Sequence, residues 1–446
     1  MPHCKWFGLT CNDDGIVTEI DLRGNNLAGG PPSNVVSFAE LTMLDLAENK
    51  LAGSLNSTKF WKLRYLTYID ISMNDFGGHA DMYFGPAMVY VNYSRNRFTS
   101  AGFKRFNAAY DTMNMVELSN NLIDMEAVDF FRNVPVNVTE LNLSNNTLRG
   151  AFPDPFPFLG KLTRFTIANN DMAGPIPWGL VNFTDLTVLD FSGNKLSQGI
   201  PPGIGYLEKL TVLNLSSNVL GSSIPGSLGR MEGVLEMLDL SNNELVGRIP
   251  SELGELQETV VLLGGNSLTP PAPLGVCKIA TVKDDQDLCP PEIKILEEFY
   301  HSFKGPEWIN NSYWLDESES YCSWYGVVCD ESDVSTIKLE LGNNDLSGEL
   351  GTKITEIMSG LTQLEGLYLN GNDIEGTIPT EIAMLSNLVE LDLSNQKQGL
   401  MGEIPDDVFK LVHLSLLCLA GNKLDQGIPS AIGILDNLKV LNLSSN

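Results

Sequence analysis

The chain has 446 residues, with 28 Lys and Arg against 56 Asp and Glu, a formal net charge of -28. That charge repels a phosphate backbone and an anionic membrane surface, so nucleic acid is excluded as the expected partner. No run approaches the ~18 apolar residues of a membrane span, and Met1 is not followed by a basic segment and an apolar signal core.

The chain opens with HCKWFGLTC at residues 3–11, two cysteines around an aromatic pair and a glycine. A metal site would need four ligands close together, and His3 is the one further candidate nearby. An Asn then recurs at Asn25, Asn49, Asn74, Asn96, Asn121, Asn146, Asn170, Asn194, Asn218, Asn243 and Asn266, in steps of mostly 24 or 25. The clearest copy is LTVLNLSSNVLGSSIP, residues 210–225. Leu213 and Leu215 are two apart, strand spacing that sends both to one face and Asn214 to the other. Asn218 ends the strand, where its amide can satisfy backbone groups left unpaired by the bend. Such a one-sided unit cannot bury its own leucines, so copies must stack around a shared core.

Residues 77–137 depart from this pattern. The step from Asn74 to Asn96 shortens to 22, and Tyr83, Phe84, Phe103, Phe106, Tyr110, Phe130 and Phe131 collect there. SAGFKRFNAAY and MEAVDFFRN have helical spacing. The stretch is read either as a different repeat class with helical convex sides or as shaped by something beyond stacking. Residues 257–265 keep the period but place Val260 and Leu262 where polar residues stood, which marks an array end. Cys277 and Cys289 follow, read as a disulfide-stapled cap and linker closed by Pro290 and Pro291. In residues 292–303, Ile293, Leu296, Phe299, Tyr300 and Phe303 form the stripe of a short amphipathic helix. Trp308, Trp314 and YCSWYGVVC at residues 321–329 come next. The Asn ruler restarts at Asn344 and Asn372, takes Gln396 where Asn is expected, and continues at Asn422 and Asn446.

The LxxLxLxxNxLxxxIP units resemble the leucine-rich repeat, and the LxGxIP copies ending at Pro250 and Pro379 resemble its plant-type extracellular class, over nearly the whole chain. The resemblance implies an α/β fold: a right-handed leucine-rich-repeat solenoid in two arrays with Cys-containing caps. The helix, Trp308, Trp314 and CxWxGVxC order is similar to the N-terminal cap of such proteins, so residues 1–290 form the first array with its caps and 291–446 a second, shorter one. In that cap a disulfide and a Trp cover the open core end, which implies Cys4 with Cys11 and Cys322 with Cys329, and Trp6 and Trp324 as the covers. Cys277 pairs with Cys289, and Cys418 stays free. Cys4 so near Met1, and a last repeat that stops at its turn Asn446, are the marks expected of a truncated chain.

Paired cap cysteines point to an oxidising compartment, extracellular or at the cell surface. Sequons at Asn56, Asn92, Asn137, Asn145, Asn182 and Asn310 agree with glycosylation, while those at Asn142, Asn214 and Asn442 arise from the LNLS consensus itself. No nucleophile elbow, phosphate-binding glycine loop, HExxH, CxxC or EF-hand loop is present, and no cofactor or metal is expected. Asp21, Asp45, Asp70, Glu117, Asp190 and Asp239 form an outward ladder that the consensus produces.

What remains is surface. On the concave sheet one outward column holds Met43, Tyr68, Tyr90 and Met115, an apolar and aromatic stripe, with Arg95, Glu117 and Arg164 as candidates for polar specificity, since binding hot spots favour Tyr, Trp and Arg. The expected partner is a protein, peptide or glycan ligand on that face. The resemblance implies the ligand-recognition ectodomain of a receptor-like protein, without catalysis. The other reading is a secreted inhibitor or adhesion protein resembling the polygalacturonase-inhibiting proteins.

Overall fold

A computed structural model describes residues 2–446 apart from 56–58, 104–111, 158, 280–287, 332, 334, 352–359 and 426. Most of the LxL segments form three-residue strands, as in Met43–Asp45, Tyr68–Asp70, Tyr90–Asn92, Met115–Glu117 and Val212–Asn214. These strands join a 12-stranded sheet in chain order that ends at Val260–Leu262. The sheet opens with an antiparallel pair, Leu9–Cys11 on Val17–Asp21, and every later pairing is parallel. Register is one strand per turn, so Val212 stands beside Val188 on one side and Met237 on the other. Period two then decides the core. Leu213 and Leu215 have no exposed surface, while Val212 and Asn214 are half-buried.

Strands this short hold because the turn asparagines tie successive coils together. Asn218 accepts the Leu196 N–H at 2.9 Å and donates its amide to the carbonyls of Phe191 at 3.0 Å, Leu215 at 3.1 Å and Ser216 at 3.2 Å. One buried amide thus satisfies an N–H and the carbonyls that the bend takes out of the ladder. Ser217 just before it is left-handed, at φ 55°, a position that Gly193 and Gly265 fill in other turns. Gln396 does the same work as the asparagines, accepting from Ile374 N–H at 3.1 Å and donating to Leu369 at 2.8 Å.

The convex side is mostly 3-10 turns, such as Pro202–Tyr206 and Gly226–Met231, which bury Ile204 and Leu228. In residues 77–137 one of the two expected helices forms, Ala127–Phe131. The other stretch begins instead in the strand Arg97–Gly102, which pairs with Asp75–Asp81, and its continuation, with Phe106 and Tyr110, lies outside the described residues. Phe84, Phe103, Phe130 and Phe131 are buried. Phe131 packs 5.9 Å from Phe165 and Phe84 packs 6.3 Å from Tyr93, so these rings fill the core that leucines fill elsewhere.

A second sheet has six strands, from Val327–Cys329 through Thr336–Glu340, Gly366–Tyr368, Glu390–Asp392 and Leu416–Cys418 to Val440–Asn442, and it too starts with an antiparallel pair. The helix Glu292–Ser302 buries Ile293, Leu296, Phe299 and Tyr300. They share one core with Trp308, Trp314, Trp324 and Leu339. Trp6 does not act as the expected cover: it is 66% exposed, whereas Trp324 is 1% exposed. Trp324 is enclosed because Trp314 packs 5.0 Å from its ring and Tyr321 lies edge-on to it. Among the described residues no ring packs on Trp6. Disulfides join Cys4 to Cys11, Cys277 to Cys289 and Cys322 to Cys329, and Cys418 is free.

The chain divides into two compact units. One runs up to Gly247 and takes in Glu255–Ser267; the other includes Arg248–Gly254 and the chain from Gln286 to Asn446. The short helix Leu274–Lys278 belongs to the second unit, where Leu274 joins the core of Ile293 and Trp324 and Gly275 N–H donates to Glu317 at 3.0 Å.

Candidate functional site

Met43, Tyr68, Tyr90 and Met115 stand in register on four neighbouring strands, each half-buried. Equivalent positions on parallel strands lie ~4.8 Å apart, so like side chains in one column meet face to face. Tyr68 and Tyr90 do so with 4.4 Å between centroids and 5° between planes. Burial, then the Asp70 charge, pushes both phenols above their ordinary range, so they remain neutral hydrogen-bonding groups.

The next column along the strands holds Asp45, Asp70, Asn92, Glu117 and Asn142. Each side chain folds back onto a backbone N–H two residues on: Ala47 at 2.9 Å, Ser72 at 2.8 Å, Ser94 at 3.1 Å, Ser119 at 2.9 Å and Ser144 at 3.0 Å. For that reason the acid ladder is not simply outward; Asp45, Asp70 and Asp239 are buried. Across strands Asn92 donates to Asp70 at 3.0 Å and stands between Asp70 and Glu117, sparing them direct repulsion, and Asn142 donates to Glu117 at 2.8 Å. Asp45 and Asp70 have no amide between them, and burial, then the neighbouring carboxylate, outweighs the Ala47 N–H and raises Asp45. Arg23 lies 4.0 Å from Asp45 and pairs with Glu48 at 2.9 Å.

The structure therefore brings together Met43, Tyr68, Tyr90, Met115 and Glu117. Arg95 is exposed in the left-handed turn after its strand, at φ 52°. Arg164 shares the Tyr column but stands two strands beyond Met115, with Glu140 between, roughly 10 Å away. Of the sequons, Asn145 and Asn182 are exposed, Asn137 and Asn310 half-buried, and Asn56 outside the described residues. Asn92 lies in the strand itself, its amide engaged with Asp70. One metal-type grouping occurs among the described residues, His3 with Cys4 and Cys11, and both its sulfurs are taken by the disulfide.

Sequence reasoning missed a polar cluster on the second sheet. The Tyr368 O–H donates to Glu390; Lys338 Nζ lies 3.3 Å from the same carboxylate and 5.9 Å from the Tyr368 ring centroid. Lys338 crosses an intervening strand because that strand carries Gly366, where a Cβ would meet the Tyr368 ring at 2.9 Å and Lys338 Cγ at 3.1 Å. The Tyr368 hydrogen bond, with Lys338, holds Glu390 below the usual carboxylate range. The signal was legible: a glycine in the outward column between a lysine and a glutamate.

A family model described as Leucine rich repeat N-terminal domain matches residues 2–12 and 290–330, and one described as Leucine Rich Repeat matches 137–159, 185–207, 209–231, 234–256 and 363–385. Over these segments the chain carries leucine-rich repeats and matches their N-terminal cap. Its relatives are plant receptor-like proteins and kinases. It is 36% identical to Phytosulfokine receptor 1 of Arabidopsis thaliana over 122 residues, 27% of this chain and 11% of that protein. To Receptor-like protein 50 of Arabidopsis thaliana it is 30% identical over 145 residues, 29% of this chain and 15% of that protein. The chain thus matches under a sixth of either relative's length. Among solved structures, the fold is shared with the leucine-rich-repeat ectodomain of the Arabidopsis receptor kinase HAESA, at TM-score 0.55 and 23% identity, covering 99% of this chain and 77% of that one. The ectodomain of GASSHO1/SCHENGEN3 from Arabidopsis thaliana gives TM-score 0.50 at 24% identity, covering 98% and 48%. No described helix is long and apolar enough to cross a membrane.

Proposed function

We propose that this chain is a non-catalytic ligand-recognition module of an extracellular or cell-surface receptor-like protein, its arrays meeting near residue 290. The concave face of the first array receives an extended peptide or protein segment. The observation that carries the reading is the stacked Tyr68–Tyr90 pair, flanked in register by Met43 and Met115. Rigid rings and pliable methionines on adjacent strands make a platform of low ordering cost, edged by Glu117, Arg95 and more distantly Arg164 for polar contacts. HAESA is described in complex with an IDA peptide hormone, which supports a peptide class of ligand.

The test is selection of peptide binders from a random library on the intact chain, followed by calorimetry on Tyr68→Ala/Tyr90→Ala. Truncating the two rings is expected to weaken binding by about 30-fold or more, equivalent to about 2 kcal/mol for the stacked pair as a unit, since hot-spot values do not add. Selected peptides that bind the double variant unchanged place the site elsewhere.

A further inference from the structure

Residues 49–110 hold eight of the 28 Lys and Arg and three of the 56 Asp and Glu, a positive island in a strongly acidic chain. Of those three acids, Asp70 is buried and hydrogen-bonded to Asn92, and Asp75 is paired with Arg97 at 3.0 Å. The cations concentrate in KFWKLRY, residues 59–65, which runs from the turn Phe60–Lys62 towards the strand Tyr68–Asp70. Phe60 and Leu63 are buried there and anchor the segment. The intervening side chains are left outside. Trp61 is 42% and Tyr65 60% exposed, and Lys59, Lys62 and Arg64 are exposed too.

Two features distinguish this segment from an ordinary solvated face. Exposed cations elsewhere either meet carboxylates, as Lys195 meets Asp171 at 2.9 Å and Lys209 meets Asp185 at 2.6 Å, or stand singly without an ion pair among the described residues, as Lys50 and Lys161 do; here three such cations fall within six residues. Lys59, Lys62 and Arg64 make no ion pair among the described residues. The Trp61 ring, moreover, is braced 5.8 Å from the half-buried Tyr83 ring of the next repeat, with Lys62 Nζ 5.8 Å from its centroid. An aromatic face is thus held beside unpaired charge.

We propose that residues 59–65, with Tyr83, form a second recognition surface, away from the concave face, for an anionic polysaccharide. Flat aromatic faces suit the apolar faces of pyranose rings, and Arg64 with the lysines suits the carboxylates or sulfates such a polymer carries. The chain-wide charge of -28 does not forbid this, because screening limits each charge to about 8 Å at physiological ionic strength. A saccharide is chosen over a nucleic acid because the three disulfides mark an oxidising compartment. The proposal does not depend on the concave-face reading.

The experiment is fluorescence anisotropy of the intact chain with labelled polygalacturonate, dextran sulfate and neutral dextran, at low and high salt. Binding to at least one anionic polymer, none to dextran, and weakening by salt are expected; preference between carboxylate and sulfate assigns the polymer class. Lys62→Ala/Arg64→Ala should lower affinity about tenfold or more, the scale of lost charge-assisted contacts. Trp61→Ala/Tyr65→Ala should lower it with the salt dependence retained. Lys195→Ala/Lys209→Ala, cations already paired, should leave it unchanged. Absence of binding to both anionic polymers, affinity indifferent to Lys62→Ala/Arg64→Ala, or stronger binding to RNA or to phosphatidylserine vesicles would overturn the proposal.

Discussion

Tyr68 and Tyr90 lie ring on ring, 4.4 Å apart, because parallel pairing sets their backbones directly side by side. The contact is a cross-strand pair before it is anything else, and it contributes to stability as such. A double-mutant cycle of Tyr68→Ala and Tyr90→Ala in urea denaturation should return a coupling of about 0.5–1.5 kcal/mol. A coupling near zero would mean the rings do not stack in solution.

The turn amides make a sharper prediction. Asn218→Ala strands the buried N–H of Leu196 and three carbonyls, and should cost about 2–4 kcal/mol. Gln396→Ala should cost a similar amount, since Gln396 makes the same set of bonds. Denaturant midpoints measure both. A neutral Gln396→Ala would show that its hydrogen bonds contribute little.

Two tryptophans in like motifs should behave oppositely. Trp324→Ala opens a cavity under Trp314 and should cost about 3–5 kcal/mol. Trp6→Ala, at a site 66% exposed, should shift stability by under about 0.5 kcal/mol. Thermal melts of the two variants decide the matter.

Glu292 is buried, and burial raises its carboxyl although Thr336 N–H donates to it at 2.7 Å. A raised folded-state value means the unfolded chain gives up its proton more readily. Stability from this group is complete below the unfolded value and lost as pH rises through the folded one. Glu292→Gln removes that loss, so the variant should gain on the parent as pH rises from about 4 to about 7. A gap between the two denaturation midpoints that does not widen with pH would count against it.

Much of this protein was legible from the chain alone. Spacing of two between leucines and of about 24 between asparagines dictates strand, turn and stacking, because a one-sided unit has no other way to bury Leu213 and Leu215. The outward column of Met43, Tyr68, Tyr90 and Met115 followed from the same counting, since parallel register preserves sequence phase in space.

Tertiary structure decided what phase cannot. Trp6 and Trp324 share a motif, and only the packing around each determines which is buried. Asp45 and Asp70 are outward by alternation yet buried in fact, because a carboxylate two residues before a free N–H folds back onto it. Lys338 reaches Glu390 across a strand because Gly366 leaves the space. Each depends on which side chains neighbouring coils set against one another, and a repeat pattern records the coil but not its neighbour's contents.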